Sequence, residues 1–116
     1  MTGFFFLLGN RKNPYPYIEM SDIYVQTSRM EGYGLTVAEA KILNKPCVLT
    51  NFNTAYLHVK NRFNGLISSF DPEDIADKIE LLIKDKSLYN NIIENLKKEK
   101  KGNLEEIHKF YELIEL

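Results

Sequence analysis

Asp22-Ile23-Tyr24-Val25-Gln26-Thr27, then Ser28-Arg29-Met30-Glu31-Gly32-Tyr33-Gly34, then Leu35-Thr36-Val37-Ala38-Glu39-Ala40-Lys41-Ile42-Leu43 is the stretch on which the fold turns. The first block is short and rich in β-branched and aromatic residues, which reads as a strand. The third reads as a helix over 35–43, stopped by Asn44-Lys45-Pro46. Cys47-Val48-Leu49-Thr50 follows at once as another apolar strand. Strand, helix and strand in this order form a βαβ unit, and a βαβ unit requires parallel strands.

The same alternation continues outward. Phe4-Phe5-Phe6-Leu7-Leu8 is wholly apolar and ends at Gly9, the mark of a strand buried on both faces. Asn13-Pro14-Tyr15-Pro16-Tyr17 reads as a rigid turn into a short helix at 18–20, and Gly65-Leu66-Ile67-Ser68 as a fourth strand. From Asp71-Pro72 onward the pattern is all helix. Asp71 is placed as an N-cap with Pro72 at the first helical position, and Ile75, Ile79, Leu82 and Ile83 share a face. Ser87 reads as the next cap, with Leu88, Ile92 and Leu96 inward and Gly102 as the stop. Asn103 and Glu106 are spaced as a capping box for a last helix, with Leu104, Ile107, Tyr111 and Ile114 on its apolar stripe. The expected fold is therefore α/β: a parallel sheet of about four strands with flanking helices and a helical C-terminus, all in one domain over 1–116.

Composition narrows the possible functions. The chain has 116 residues, 44% hydrophobic and 27% charged, which excludes a disordered tail or a rod. A net charge of −1 argues against a nucleic-acid binder. One cysteine, Cys47, excludes an internal disulfide and fits a reducing, cytoplasmic compartment as a buried, inert thiol. The longest apolar run is five residues, against about 20 for a membrane span. Charge is uneven: residues 1–70 hold seven Lys/Arg and four Asp/Glu, whereas 71–116 hold eight and twelve.

Residues 28–40 carry the chemistry. They join the end of a strand to the start of a helix, and open α/β sheets bind ligands at that edge. Gly32 and Gly34 allow close backbone approach, and the free N–H groups of Leu35 and Thr36 point at any anion there. Glu31 and Glu39 flank this anion site, and carboxylates accept from hydroxyls. The set suits a polyol joined to a phosphate. A structural reading competes with this one: Thr36-Val37-Ala38-Glu39 has capping-box spacing, and the glycines can simply shape a turn. Spacing alone leaves both open.

The segment resembles the C-terminal nucleotide-sugar-binding domain of the retaining family 4 (group 1) glycosyltransferases of the GT-B fold, whose signature is two glutamates separated by seven residues. Glu31 and Glu39 match it. Asn13-Pro14-Tyr15-Pro16-Tyr17-Ile18, Ser28-Arg29, Glu39-Ala40-Lys41, Lys45-Pro46, Thr50-Asn51-Phe52, Asn64-Gly65-Leu66-Ile67 and the Asp71-Pro72 helix also fall at family-like spacings.

The resemblance implies a partial Rossmann-like domain. It implies that Glu31 contacts the donor sugar as the catalytic-site acid. Gly32, Tyr33, Gly34, Leu35 and Thr36 would hold the sugar and diphosphate, and Glu39 the ribose hydroxyls. Lys12, Asn13 and Pro14 would lie near the nucleobase. It implies hexosyl transfer with retention from a nucleotide-diphosphate sugar, of the UDP type, in bacterial polysaccharide biosynthesis. No metal and no further cofactor is expected. At Tyr56-Leu57-His58-Val59 the chain departs from the pattern, because Leu57 stands where an acidic residue is common.

By this resemblance the chain corresponds to about the last third of the enzyme. The acceptor domain and the diphosphate-binding Arg and Lys lie elsewhere, so the chain alone is expected to be inactive. The first strand would then present an apolar edge. Its expected partner is the remainder of the enzyme or a second chain, which would make this a non-catalytic donor-binding subunit. Self-association of a truncated remnant as a homo-oligomer is the third reading. The expected location is the cytoplasm, with peripheral contact at the inner membrane face as a variant. Lys41 is expected as a helix-surface charge, Tyr15 and Tyr17 as packing for the short helix, and His58 as no catalytic base.

Overall fold

Four short strands run parallel in the order in which the chain makes them: β1 (Phe6–Leu8), β2 (Ile23–Gln26), β3 (Cys47–Thr50) and β4 (Leu66–Ser68). They belong to a computed structural model that describes residues 6–8, 15–27 and 35–99, with side chains over 16–27 and 36–99. Tyr24 lies opposite Cys47, and Val48 opposite Leu66, which fixes the register. The helices are α1 (Tyr15–Met20), α2 (Leu35–Ile42), α3 (Ala55–His58), α4 (Pro72–Lys84) and α5 (Lys86–Lys98). The expected helix over 103–116 lies outside the described residues.

Strand order decides which face each helix covers. Right-handed crossovers that always step in the same direction put their helices on one side of the sheet. Accordingly Ile18 of α1, Val37 and Ala40 of α2 and Ala55 of α3 pack in one cluster with Tyr24, Cys47, Leu49 and Ile67. The alternate strand residues Ile23, Val25, Val48 and Leu66 face the other way, onto Leu82 of α4 and Ile92 and Leu96 of α5. Both sheet faces are thus covered, as the unbroken apolar strands predict.

Element boundaries follow local chemistry. Asn44 at φ 60° ends α2. Its N–H reaches Lys41 O, and that of Lys45 reaches Ala40 O, so a left-handed residue satisfies the last carbonyls and Pro46 prevents continuation. The Asp71 side chain accepts from Glu73 N at 3.0 Å, and Pro72 opens α4, as expected. The next cap differs from the sequence reading. Asp85 accepts from Leu88 N at 3.0 Å and Ser87 lies inside α5, because only one residue separates the two helices. α5 stops at Lys98, before Gly102.

α1 begins at Tyr15, earlier than expected, and α3 was not expected at all. α3 is a single turn closed by Val59 N–H on Ala55 O, too short to show periodicity in sequence.

The outer side of β4 is covered by its own approach segment. Ile67 N–H donates to Asn61 Oδ1 at 2.9 Å, and Asn61 bridges to Gly65 in parallel. Gly65 is required there, since a Cβ would stand 2.9 Å from Val59 Cγ1 and 3.0 Å from Cys47 O. β1 occupies the opposite edge, with no strand on its outer side among the described residues.

Candidate functional site

The carboxyl ends of β2, β3 and β4 terminate in buried polar residues: Gln26, Thr50 and Ser68. The Thr50 hydroxyl donates to Gln26 O at 3.4 Å and so closes the gap between the ends of β2 and β3. Tyr24 OH donates to Gln26 Oε1. Beside β4, Asp74 Oδ2 accepts from Ser69 N–H at 2.8 Å, while Asp74 Oδ1 accepts from Lys78 Nζ at 2.8 Å. The Lys78 bond first, then the bonds from Ser69, hold the Asp74 carboxyl well below the usual carboxylate range. Its fork onto the strand end had no sequence signal beyond the polar run Ser68-Ser69.

α2 leaves from this edge. It starts at Leu35, so the residues expected to open the helix do open it. Thr36 is then its second residue and Glu39 its fifth. A capping box uses a Ser/Thr just before the first turn, and Thr36 stands inside that turn. Glu39 is instead fully buried, at 0% exposure, beside Ala40 in the inward stripe of the helix. Burial pushes its carboxyl up to about 7. Thr36 and Glu39, three residues apart, lie on one face of α2.

Other expected site residues are placed only in part. Glu31, Gly32, Tyr33 and Gly34 lie outside the described residues, as do Lys12, Asn13 and Pro14. Leu35 is placed as the first residue of α2. His58 sits at the end of α3, and its carbonyl accepts from Lys41 Nζ at 2.7 Å. Lys41 is therefore no surface charge. Its ammonium also lies 3.0 Å from Glu99 Oε1, with the side chains only 16% and 26% exposed. The partners sit 17 and 58 positions further along the chain, beyond any local signal. Tyr17 stands exposed on α1, where Ile18 does the packing.

A hollow lined by Asp77, Glu80, Leu81, Lys84, Asp85 and Lys86 lies where α4 meets α5, away from the strand ends. Among the described residues no group of three His, Cys, Asp or Glu is placed to hold a metal ion.

A parallel sheet covered by helices on both faces makes this a Rossmann-like α/β layer. Comparison with known families makes this specific: residues 3–99 match the profile of the glycosyl transferases group 1, and the chain belongs to that family. It is 30% identical over 89 residues to the N,N'-diacetylbacillosaminyl-diphospho-undecaprenol alpha-1,3-N-acetylgalactosaminyltransferase of Campylobacter jejuni, covering 76% of this chain and 24% of that protein. It is 33% identical over 78 residues to the UDP-Gal:alpha-D-GlcNAc-diphosphoundecaprenol alpha-1,3-galactosyltransferase of Escherichia coli, covering 67% and 20%. A capsular polysaccharide biosynthesis glycosyltransferase of Staphylococcus aureus is 32% identical over 93 residues, covering 79% and 24%. The chain thus spans a fifth to a quarter of the length of these curated relatives.

Proposed function

We propose that the chain is the donor-binding part of a GT-B transferase that passes a hexose, with retention, from a UDP-type nucleotide sugar in bacterial glycan assembly. The observation that carries this reading is the buried Glu39 carboxyl on α2, at the edge where such sheets take ligands. In its ionised form Glu39 accepts from the two ribose hydroxyls. The opening N–H groups of α2 and the preceding residues 32–34 take the diphosphate, and Glu31 meets the donor sugar. The chemistry then rests on stabilising the leaving diphosphate by fixed dipoles. No metal or further cofactor takes part in this scheme. The names of the relatives, two of which act on diphosphoundecaprenol-linked substrates, support a lipid-linked or capsular glycan as the product class.

The cytoplasm, where nucleotide sugars are made, is the compartment this reading requires. The rest of the enzyme, whether one polypeptide or a separate chain, is the partner expected along β1. Without it the chain binds donor and transfers nothing.

Calorimetric titration with UDP tests the proposal. The parent chain binds, and Glu39→Gln binds about 10- to 100-fold more weakly, the value of a hydrogen bond to a charged group. Equal UDP affinity in the two proteins, or no binding of UDP by the parent, overturns it.

A further inference from the structure

From residue 40 to residue 70 the chain contains no Asp or Glu but carries Lys41, Lys45, Lys60 and Arg62. Within this acid-free span, α3 and the turn after it present large apolar groups to solvent: Leu57 is 83% exposed, Tyr56 64% and Phe63 49%. Lys60 and Arg62 are exposed between them. The Lys60 ammonium lies 5.9 Å from the centre of the Phe63 ring, so charge and ring form one amphipathic unit.

Arg62 holds φ at 70°, a left-handed position where glycine is the unstrained choice. A guanidinium occupies it instead. The end of α5 docks on the same turn through Asn95 Nδ2, which donates to Phe63 O at 2.7 Å, and adds exposed Lys97 and Lys98. The acids of that helix end are already matched, Glu94 with Lys97 and Glu99 with Lys41, so the local excess stays positive.

We propose that this face, Tyr56-Leu57 of α3 with the Lys60–Phe63 turn, seats the chain on an anionic phospholipid surface. Leu57, Tyr56 and Phe63 enter the boundary between headgroups and acyl chains, and Lys60, Arg62 and Lys98 meet lipid phosphates. Projecting leucine and aromatic groups among lysine and arginine are the composition of an interfacial segment. A polynucleotide would be met by the cations alone and gives Leu57 nothing to bury against. The turn precedes β4 and so lies at the amino ends of the strands. The candidate site lies at their carboxyl ends and stays open to water when the chain is seated. The inference stands independently of the donor-binding reading.

Vesicle flotation of the whole chain tests it, with phosphatidylcholine vesicles and with vesicles containing phosphatidylglycerol. The chain floats with the anionic vesicles, less so as salt is raised, and not with the neutral ones. Arg62→Gly relieves the left-handed backbone and so folds at least as well, yet lowers the partition coefficient about fivefold, the worth of one cation near such a surface. Leu57→Ser, uncharged and at an exposed position, lowers it as well. Flotation equal on neutral vesicles, or none on anionic ones, overturns the proposal. So does flotation that is indifferent to Leu57→Ser, which leaves the charge unchanged, the result that simple adhesion to any polyanion would give.

Discussion

Glu39 is a carboxyl group in a place that disfavours its charge. Burial raises it to about 7 from 4.5, so between those pH values the folded chain keeps a proton that the unfolded chain has lost. Its contribution to stability is full below pH 4.5, falls as pH rises to about 7, and is level beyond. Glu39→Gln removes the titration. In urea unfolding the variant should match the parent near pH 4.5 and exceed it at pH 8 by on the order of 3 kcal/mol. UDP affinity of the parent should rise more steeply through about pH 7, where the carboxylate forms, than that of the variant, in which only the UDP phosphate still titrates. Lys41 makes the opposite case, a charge held by partners. Lys41→Met leaves Glu99 half-buried without its cation and should cost about 1–3 kcal/mol. A double cycle with Glu99→Gln should return a coupling of at least about 0.5 kcal/mol.

Elements were legible in the sequence where one residue's chemistry sets a boundary. β3 is bounded by Pro46 and ended by polar Thr50, and its predicted limits are the observed ones. Asp71-Pro72 opens α4 because an acceptor and a fixed φ are both in place. The start of α5 was misread because Asp85 and Ser87 are both good caps. The choice between them is made by where α4 lets go, at Lys84. The two give different outcomes: Asp85→Ala should lower stability by about 1 kcal/mol and Ser87→Ala by less than about 0.5 kcal/mol, read from urea midpoints. α3 was invisible because a single turn has no period. The segment after α3 depends on one glycine. Gly65→Ala forces a methyl against Val59 and the Cys47 carbonyl and should cost about 1–3 kcal/mol. At the site, the edge and the opening of α2 could be read from the pattern. The burial of Glu39 could not, since helix periodicity says which face is inward but not that a carboxyl shares it.

For the whole molecule, chain order equals strand order, and each strand pairs with the one made just before it. Among the described residues that arrangement segregates the helices, three on one face and the α4–α5 pair on the other. The parallel sheet followed from apolar runs alternating with helical periods. The one-sided crossovers did not, since strand order is a property of pairing that no local pattern states. The sheet's middle carries one further consequence. Cys47, the chain's sole sulfhydryl, opens an interior strand, is fully buried, and has its thiol pushed up to about 12 by burial. An alkylating reagent can reach it only when the layers separate. Pulse alkylation at increasing urea therefore counts molecules whose centre has opened, and the native sequence carries its own stopwatch for global unfolding without an added label.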